Sequence, residues 1–255
     1  MTPTPTGKSA TGPGPTPRVR LICMPFAGGN AYSYRDLDAH VADVIELAPV
    51  EPPGRGRRFS ETLLTSLQAM ADDLFAQIRE ELEGPYAFYG HSMGGRLGYL
   101  VTRRILTAGL PAPLHLFVSG CAGPGVARNR RRYTLPIGDF VSMLKRMGCP
   151  PDVLENDELM EVFEPVLRAD FKANDTYTYE RQPPFEVPIT AIIGTQEETT
   201  PEEALEWQRE TKQELTLTHF PGGHFFIFDH LPELGHLLSR TLSTALSDAC
   251  RGSSP

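Results

Sequence analysis

Three features of this sequence predict an α/β domain, with a mostly parallel sheet covered by helices on both faces. Short apolar, β-branched runs alternate with segments of helical periodicity. Glycine-rich turns follow two of the predicted strands, at Gly28-Gly29 and around Ser92. At 255 residues, 40% of them hydrophobic, the chain is long enough for one such domain with a sizeable core.

Met1 to Pro17 contains almost only Thr, Pro, Gly, Ser and Ala, and cannot bury enough apolar area to offset chain entropy. A disordered tail is expected there, ahead of a single domain over 18–250. Val19 to Cys23 reads as a buried strand that runs into Pro25-Phe26-Ala27-Gly28-Gly29, with a helix expected from there to about Val41. Val44 to Leu47 is the second strand. Ser66 to Leu82 carries Leu67, Met70, Leu74 and Ile78 on one helical face. Tyr86 to Tyr89 is a third strand, followed after Gly90-His91-Ser92-Met93-Gly94 by a helix from Arg96 to Thr107. Leu114 to Ser119, Ile189 to Ile193 and Leu215 to Phe220 complete the strands, and helices are expected at Pro201 to Glu210 and Pro232 to Leu246. The alternation breaks over 122–180, where Phe140, Leu144 and Met147, then Leu159, Val162, Phe163 and Val166, recur at helical spacing. A helical insertion lying over one end of the sheet as a lid is expected.

The net charge of −8 argues against a general affinity for nucleic acid or anionic membrane. Two basic clusters, Arg55-Gly56-Arg57-Arg58 and Arg128 to Arg132, read first as solvated faces. No apolar run approaches a membrane span and no secretory pattern opens the chain, so a cytoplasmic protein is expected. Cys23, Cys121, Cys149 and Cys250 lack metal or redox spacing and are expected to be free thiols.

Gly90-His91-Ser92-Met93-Gly94 matches G-x-S-x-G between a predicted strand and a predicted helix, where a nucleophile elbow must lie. A serine hydroxyl needs a base to take its proton. Of seven histidines, His224 follows the last strand in a glycine loop, in the chain order serine, acid, histidine. His91 is expected to point away from the pocket, and His40, His115, His219, His230 and His236 fall in or beyond predicted elements. The acid should follow the strand ending near Ile193, in a loop with no aspartate, Gly194-Thr195-Gln196-Glu197-Glu198-Thr199-Thr200. Glu202 and Glu203 belong to a helix start capped by Thr200, with Pro201 in the first helical position. Glu197 and Glu198 remain, with Glu197 preferred because it lies three residues past Gly194. Backbone N–H groups of Met93 and Ala27, or a neighbour of Ala27, are the expected oxyanion donors. The absence of G-K-[ST] and of G-x-G-x-x-G argues against nucleotide binding.

From about Val19 to Leu246 the chain resembles the type II thioesterases of polyketide synthase and nonribosomal peptide synthetase assembly lines, members of the α/β-hydrolase superfamily. The resemblance rests on Met24-Pro25-Phe26-Ala27-Gly28-Gly29, Pro53-Gly54-Arg55-Gly56-Arg57-Arg58, Gly90 to Gly95, Leu167-Arg168-Ala169-Asp170-Phe171 and Pro221 to Phe226. It implies hydrolysis of acyl thioesters on the phosphopantetheine arms of acyl or peptidyl carrier proteins, through an acyl-Ser92 intermediate. It also implies a helical lid. The family usually carries an aspartate in the loop that here holds Glu197 and Glu198. No cofactor or metal is expected, and a monomer is. An esterase, an acyltransferase or release enzyme for a pathway-specific intermediate, and a binding protein with an impaired triad are the alternatives.

Overall fold

A computed structural model describes residues 18–252. The expected tail, 1–17, lies outside the described residues. Six strands, β1 (Val19–Met24), β2 (Ile45–Pro49), β3 (Tyr86–His91), β4 (Leu116–Ser119), β5 (Ile189–Gly194) and β6 (Thr216–Phe220), form one sheet in the order β2-β1-β3-β4-β5-β6. All five pairings are parallel. Every strand therefore ends on the same edge, and the strand order reverses direction beside β1, where open α/β sheets place their ligands.

Alternate residues of each strand feed two separate cores, as the period of two requires. Ile22, Met24, Phe88, Leu116, Val118 and Ile193 pack with Leu67, Met70 and Leu74 of α1 (Leu67–Ile78) and Leu97 and Val101 of α2 (Met93–Thr107). Leu21, Cys23, Ala87, Tyr89, Phe117 and Ile192 face the other side. There they meet the last and longest helix of the chain, Leu231–Gly252, whose Leu234, Leu238, Leu242 and Leu246 recur every fourth residue.

Between β4 and β5 lie α3 (Ile137–Met147), α4 (Pro151–Leu154) and α5 (Asp157–Asp175). Phe140, Leu144, Leu154, Leu167 and Phe171 give them a third core of their own. Two cations seal it: the Arg168 guanidinium lies 4.4 Å from the Phe140 ring centroid and donates to the Tyr133 and Leu135 carbonyls, and Arg132 lies 4.6 Å from the Phe171 ring.

After β5 come α6 (Pro201–Leu205) and a 3-10 turn, Glu206–Glu210, where one continuous helix was expected. The predicted start is present: Thr200 and Glu203 form a reciprocal capping box with Pro201 at the first turn. The four-residue α7 (Phe226–Asp229) precedes the final helix, α8 (Leu231–Gly252). The helix expected up to Val41 is replaced by turns and a 3-10 helix, Arg35–His40. Local side-chain bonds compete with it: Asn30 Oδ1 accepts the Tyr32 N–H, and Ser33 Oγ accepts the Asn30 N–H.

Candidate active site

Ser92 joins β3 to α2 with φ 54° and ψ −116°, the only positive φ of a non-glycine residue among the described residues. Such a conformation costs about 1–3 kcal/mol and persists only where its surroundings enforce it. The two motif glycines show the enforcement. A Cβ on Gly90 would lie 2.2 Å from the Gly94 carbonyl, and one on Gly94 would lie 2.3 Å from the Met24 carbonyl of β1. Ser92 N–H donates to the Ser119 carbonyl at 2.7 Å, tying the turn to the end of β4.

The loops after β5 and β6 bring two further side chains to this edge. His224 Nε2 lies 3.0 Å from Ser92 Oγ, and His224 Nδ1 lies 3.0 Å from Glu197 Oε2. The Glu197 side chain is fully buried, and its second oxygen accepts the Gly194 N–H at 2.9 Å. A carboxylate only accepts, so the proton of the neutral imidazole resides on Nδ1 and leaves Nε2 free to accept from the serine hydroxyl. Glu198, the other candidate, turns outward with 76% of its side chain exposed and pairs with Arg128 and Arg130. The glutamate reaches the imidazole because Thr195 and Gln196 bind across to the end of β6 and the loop after it: Thr195 N–H donates to Phe220 O and Gln196 N–H to Gly222 O.

His91 is fully buried behind this group, its ring 4.9 Å from that of His224 and its Nδ1 2.9 Å from Ser119 Oγ. Burial, with His224 beside it, holds its pKa well below the usual histidine value. His115 is also buried, 2.8 Å from Thr190 Oγ1. Ala27 lies in the loop after β1, next to the elbow, since Met24 pairs with Gly90. No protein acceptor takes the Ala27 or Met93 N–H among the described residues. Neither residue lines the main cavity.

That cavity, about 780 Å³, is lined by Ser92 and His224 and, from the insertion, by Leu135, Met143 and Met147. Its walls are cationic, with Arg96, Arg128, Arg130, Arg132 and Arg146 all reaching it. Arg132 pairs with Asp175 at 2.6 Å and Arg130 with Glu198 at 2.7 Å. Arg96 instead donates to the Asn174 amide oxygen at 2.8 Å, and no carboxylate pairs with it among the described residues. Sequence reading did not single out Arg96; its place in the first turn of the helix that follows Ser92 is the signal that could have found it. The basic run at Arg55 is a solvated face only at Arg57, whose side chain is 73% exposed. Arg55 is 4% exposed and paired with Asp170, and Arg58 bonds Glu61 and Asp73. All four cysteines are free thiols, and burial raises the pKa of Cys121 beside the cavity. Among the described residues no cluster of His, Cys, Asp or Glu is arranged to hold a metal ion, and no helix is long and apolar enough to cross a membrane.

Comparison with known proteins agrees with this architecture. The thioesterase domain family matches the chain over residues 19–242. The gramicidin S biosynthesis protein GrsT of Aneurinibacillus migulanus is 34% identical over 233 residues, 90% of this chain and 91% of that protein. Two solved structures are similar throughout. ClbQ from the colibactin NRPS/PKS pathway gives a TM-score of 0.85 at 30% identity, covering 89% of this chain and 98% of that one. The type II thioesterase BorB from the borrelidin biosynthetic cluster gives 0.82 at 32% identity, covering 88% and 93%. With the family matched along nearly all of its described length and the sheet order and elbow in place, this chain belongs to the thioesterase domain family and has the α/β-hydrolase fold.

Proposed function

We propose that Ser92, His224 and Glu197 form the catalytic triad of a discrete thioesterase that hydrolyses acyl groups from the phosphopantetheine arms of carrier proteins. The observation that carries this reading is the unbroken chain of 3.0 Å contacts from Ser92 Oγ through His224 to the buried Glu197 carboxylate. In the first half-reaction Ser92 Oγ attacks the thioester carbonyl while His224 Nε2 takes its proton. The tetrahedral intermediate collapses as His224 returns that proton to the departing thiol, leaving an acyl-serine. Water, deprotonated by the same nitrogen, attacks the ester and regenerates Ser92. Glu197 holds the imidazole tautomer and balances the imidazolium charge formed in each step. The Met93 and Ala27 N–H groups, unused by the protein itself, receive the oxyanion.

A carrier-tethered substrate suits the cavity. At about 780 Å³ it has the volume for a pantetheine arm and a short acyl group, and its arginines complement an acidic partner although the whole chain carries −8. ClbQ comes from an NRPS/PKS pathway, and BorB is a type II thioesterase of a biosynthetic cluster. A binding protein with an impaired triad finds no support in this geometry, because Glu197 reaches His224 from the loop where the resembled family usually carries an aspartate. Replacing Ser92 by Ala tests the reading: turnover of an acyl N-acetylcysteamine thioester should fall by about 10⁵–10⁶, with fluorophosphonate labelling lost. Retained hydrolysis would remove Ser92 from the mechanism.

A further inference from the structure

Two of the motifs quoted from the sequence remain unused by the triad, the one containing Arg55 and the one containing Asp170. They meet in the folded protein. Arg55 donates through Nη1 and Nη2 to the two carboxylate oxygens of Asp170 at 2.6 and 2.7 Å, in a forked pair 4% and 0% exposed. Neither group touches the cavity. Instead the pair abuts the loop after β1. Asp170 Oδ2 also accepts the Gly28 N–H at 2.8 Å, and Arg55 Nη1 donates to the Gly29 carbonyl at 3.3 Å.

These bonds act on consecutive peptide planes. Gly29 N–H donates to Phe26 O at 2.8 Å, closing a turn with Ala27 and Gly28 at its centre, and Gly28 has φ 78°, the left-handed value a type II turn requires there. That bond fixes the Phe26–Ala27 peptide. The peptide is trans and planar, so its other pole, the Ala27 N–H, is fixed pointing away from Phe26 O. The next plane, Ala27–Gly28, is fixed by Asp170. Ala27 N–H is thus held with no acceptor of its own, in the first of two successive anchored planes.

We propose that the Arg55–Asp170 pair is a positioning device for the oxyanion loop: Asp170 pins the Gly28 N–H, Arg55 holds Asp170 and the Gly29 carbonyl, and together they preset the Ala27 N–H. This rests on the reading of Ser92 as nucleophile. Stability alone is a poor reason for the pair, since buried ion pairs are often replaceable by apolar side chains without loss, and Arg55 Nε is left with no acceptor. Asp170 lies on α5 of the insertion. That segment therefore does more than line the cavity, because it carries one anchor of the catalytic loop.

The test uses the full chain with Arg55→Met and Asp170→Leu combined, which removes the tether without stranding a buried charge. Three quantities are measured: kcat and KM on a propionyl N-acetylcysteamine thioester, the Ki of a propyl boronic acid, and the Kd of the unreactive propyl thioether analogue. The boronic acid adds Ser92 Oγ to boron and places an oxyanion where the intermediate's would lie. A fold that is intact by thermal melting is expected, with kcat and boronate affinity both lowered by about 10², the size of a displaced catalytic contact, and thioether affinity within about twofold of the parent. Unchanged kcat and boronate affinity overturn the proposal, as does an equal fall in boronate and thioether affinity, which marks a general packing role. If the double variant does not fold, Asp170→Asn is measured the same way, with kcat and boronate affinity falling together against constant thioether affinity. Ser92→Ala assayed alongside separates the two readings: if it retains activity the nucleophile assignment fails, and if it is inactive while the tether variant is unaffected only the positioning role fails.

Discussion

Replacing Glu197 by Gln exchanges one carboxylate oxygen for an NH₂ group at a position where both oxygens are in use. One accepts from His224 Nδ1 at 3.0 Å and the other from the Gly194 N–H at 2.9 Å. The amide has two orientations and neither satisfies the site. With its oxygen toward His224, the NH₂ faces the Gly194 N–H, donor against donor. With its NH₂ toward His224, the ring must accept at Nδ1 and carry its proton on Nε2, the tautomer that cannot take the proton of Ser92. In either orientation the charge that opposes the imidazolium is gone. Two unit charges about 4 Å apart attract by about 4 kcal/mol at an effective dielectric constant of about 20. At about 1.4 kcal/mol per tenfold in rate that is a factor of about 10³, and the wrong tautomer extends it toward about 10⁴. The assay is release of free thiol from a propionyl N-acetylcysteamine thioester, followed with a thiol-reactive dye, with thermal melting to confirm an intact fold. Glu198→Gln serves as the comparison, since Glu198 points outward into an arginine cluster. A folded Glu197→Gln enzyme retaining more than about a tenth of parental kcat, against the 10³ expected for loss of the acid, refutes the assignment. So does an equal loss in Glu198→Gln.

Three further outcomes follow from the same geometry. Gly94→Ala puts a methyl 2.3 Å from the Met24 carbonyl, so the elbow must open; a loss of about 1–3 kcal/mol in urea unfolding is expected, with Ser92 no longer labelled by fluorophosphonate. Arg130→Glu with Arg131→Glu should lower kcat/KM for a carrier-bound thioester by about tenfold more than for the N-acetylcysteamine thioester, and the difference should shrink in about 0.5 M salt; equal effects on both substrates argue against a role in docking. Burial holds the pKa of His115 down to about 4, against about 6.5 in the unfolded chain. Between those values the unfolded state binds the extra proton, so stability falls as pH drops from about 6.5 to 4, by up to about 3 kcal/mol from this group. Urea unfolding from pH 7 to 4.5 should therefore show a shallower pH dependence in His115→Gln, and parallel curves contradict this.

Much of the fold was legible because its signals are local. The strands are short apolar runs, and Leu234, Leu238, Leu242 and Leu246 of α8 repeat at helical spacing, so burial follows from periodicity. The capping box at Thr200 is a four-residue pattern and appears as read. Reading failed where local chemistry competes, as in the Asn30 to Val41 segment. There, side-chain oxygens bond nearby backbone N–H groups and turns replace the helix.

By itself the sequence determined the α/β class, the nucleophile elbow and the loop that offers a histidine, since each is a short motif between elements of readable period. It narrowed the acid to two neighbours and stopped there. Choosing between Glu197 and Glu198 depends on the path of the β5 loop against the β6 loop, a matter of tertiary hydrogen bonds that turns one side chain inward and the other to solvent. The same reason hid Arg55. An arginine in a basic run reads as solvated until Asp170, distant in sequence, is seen to cover it, and only the folded chain brings the two opposite charges together against the loop after β1.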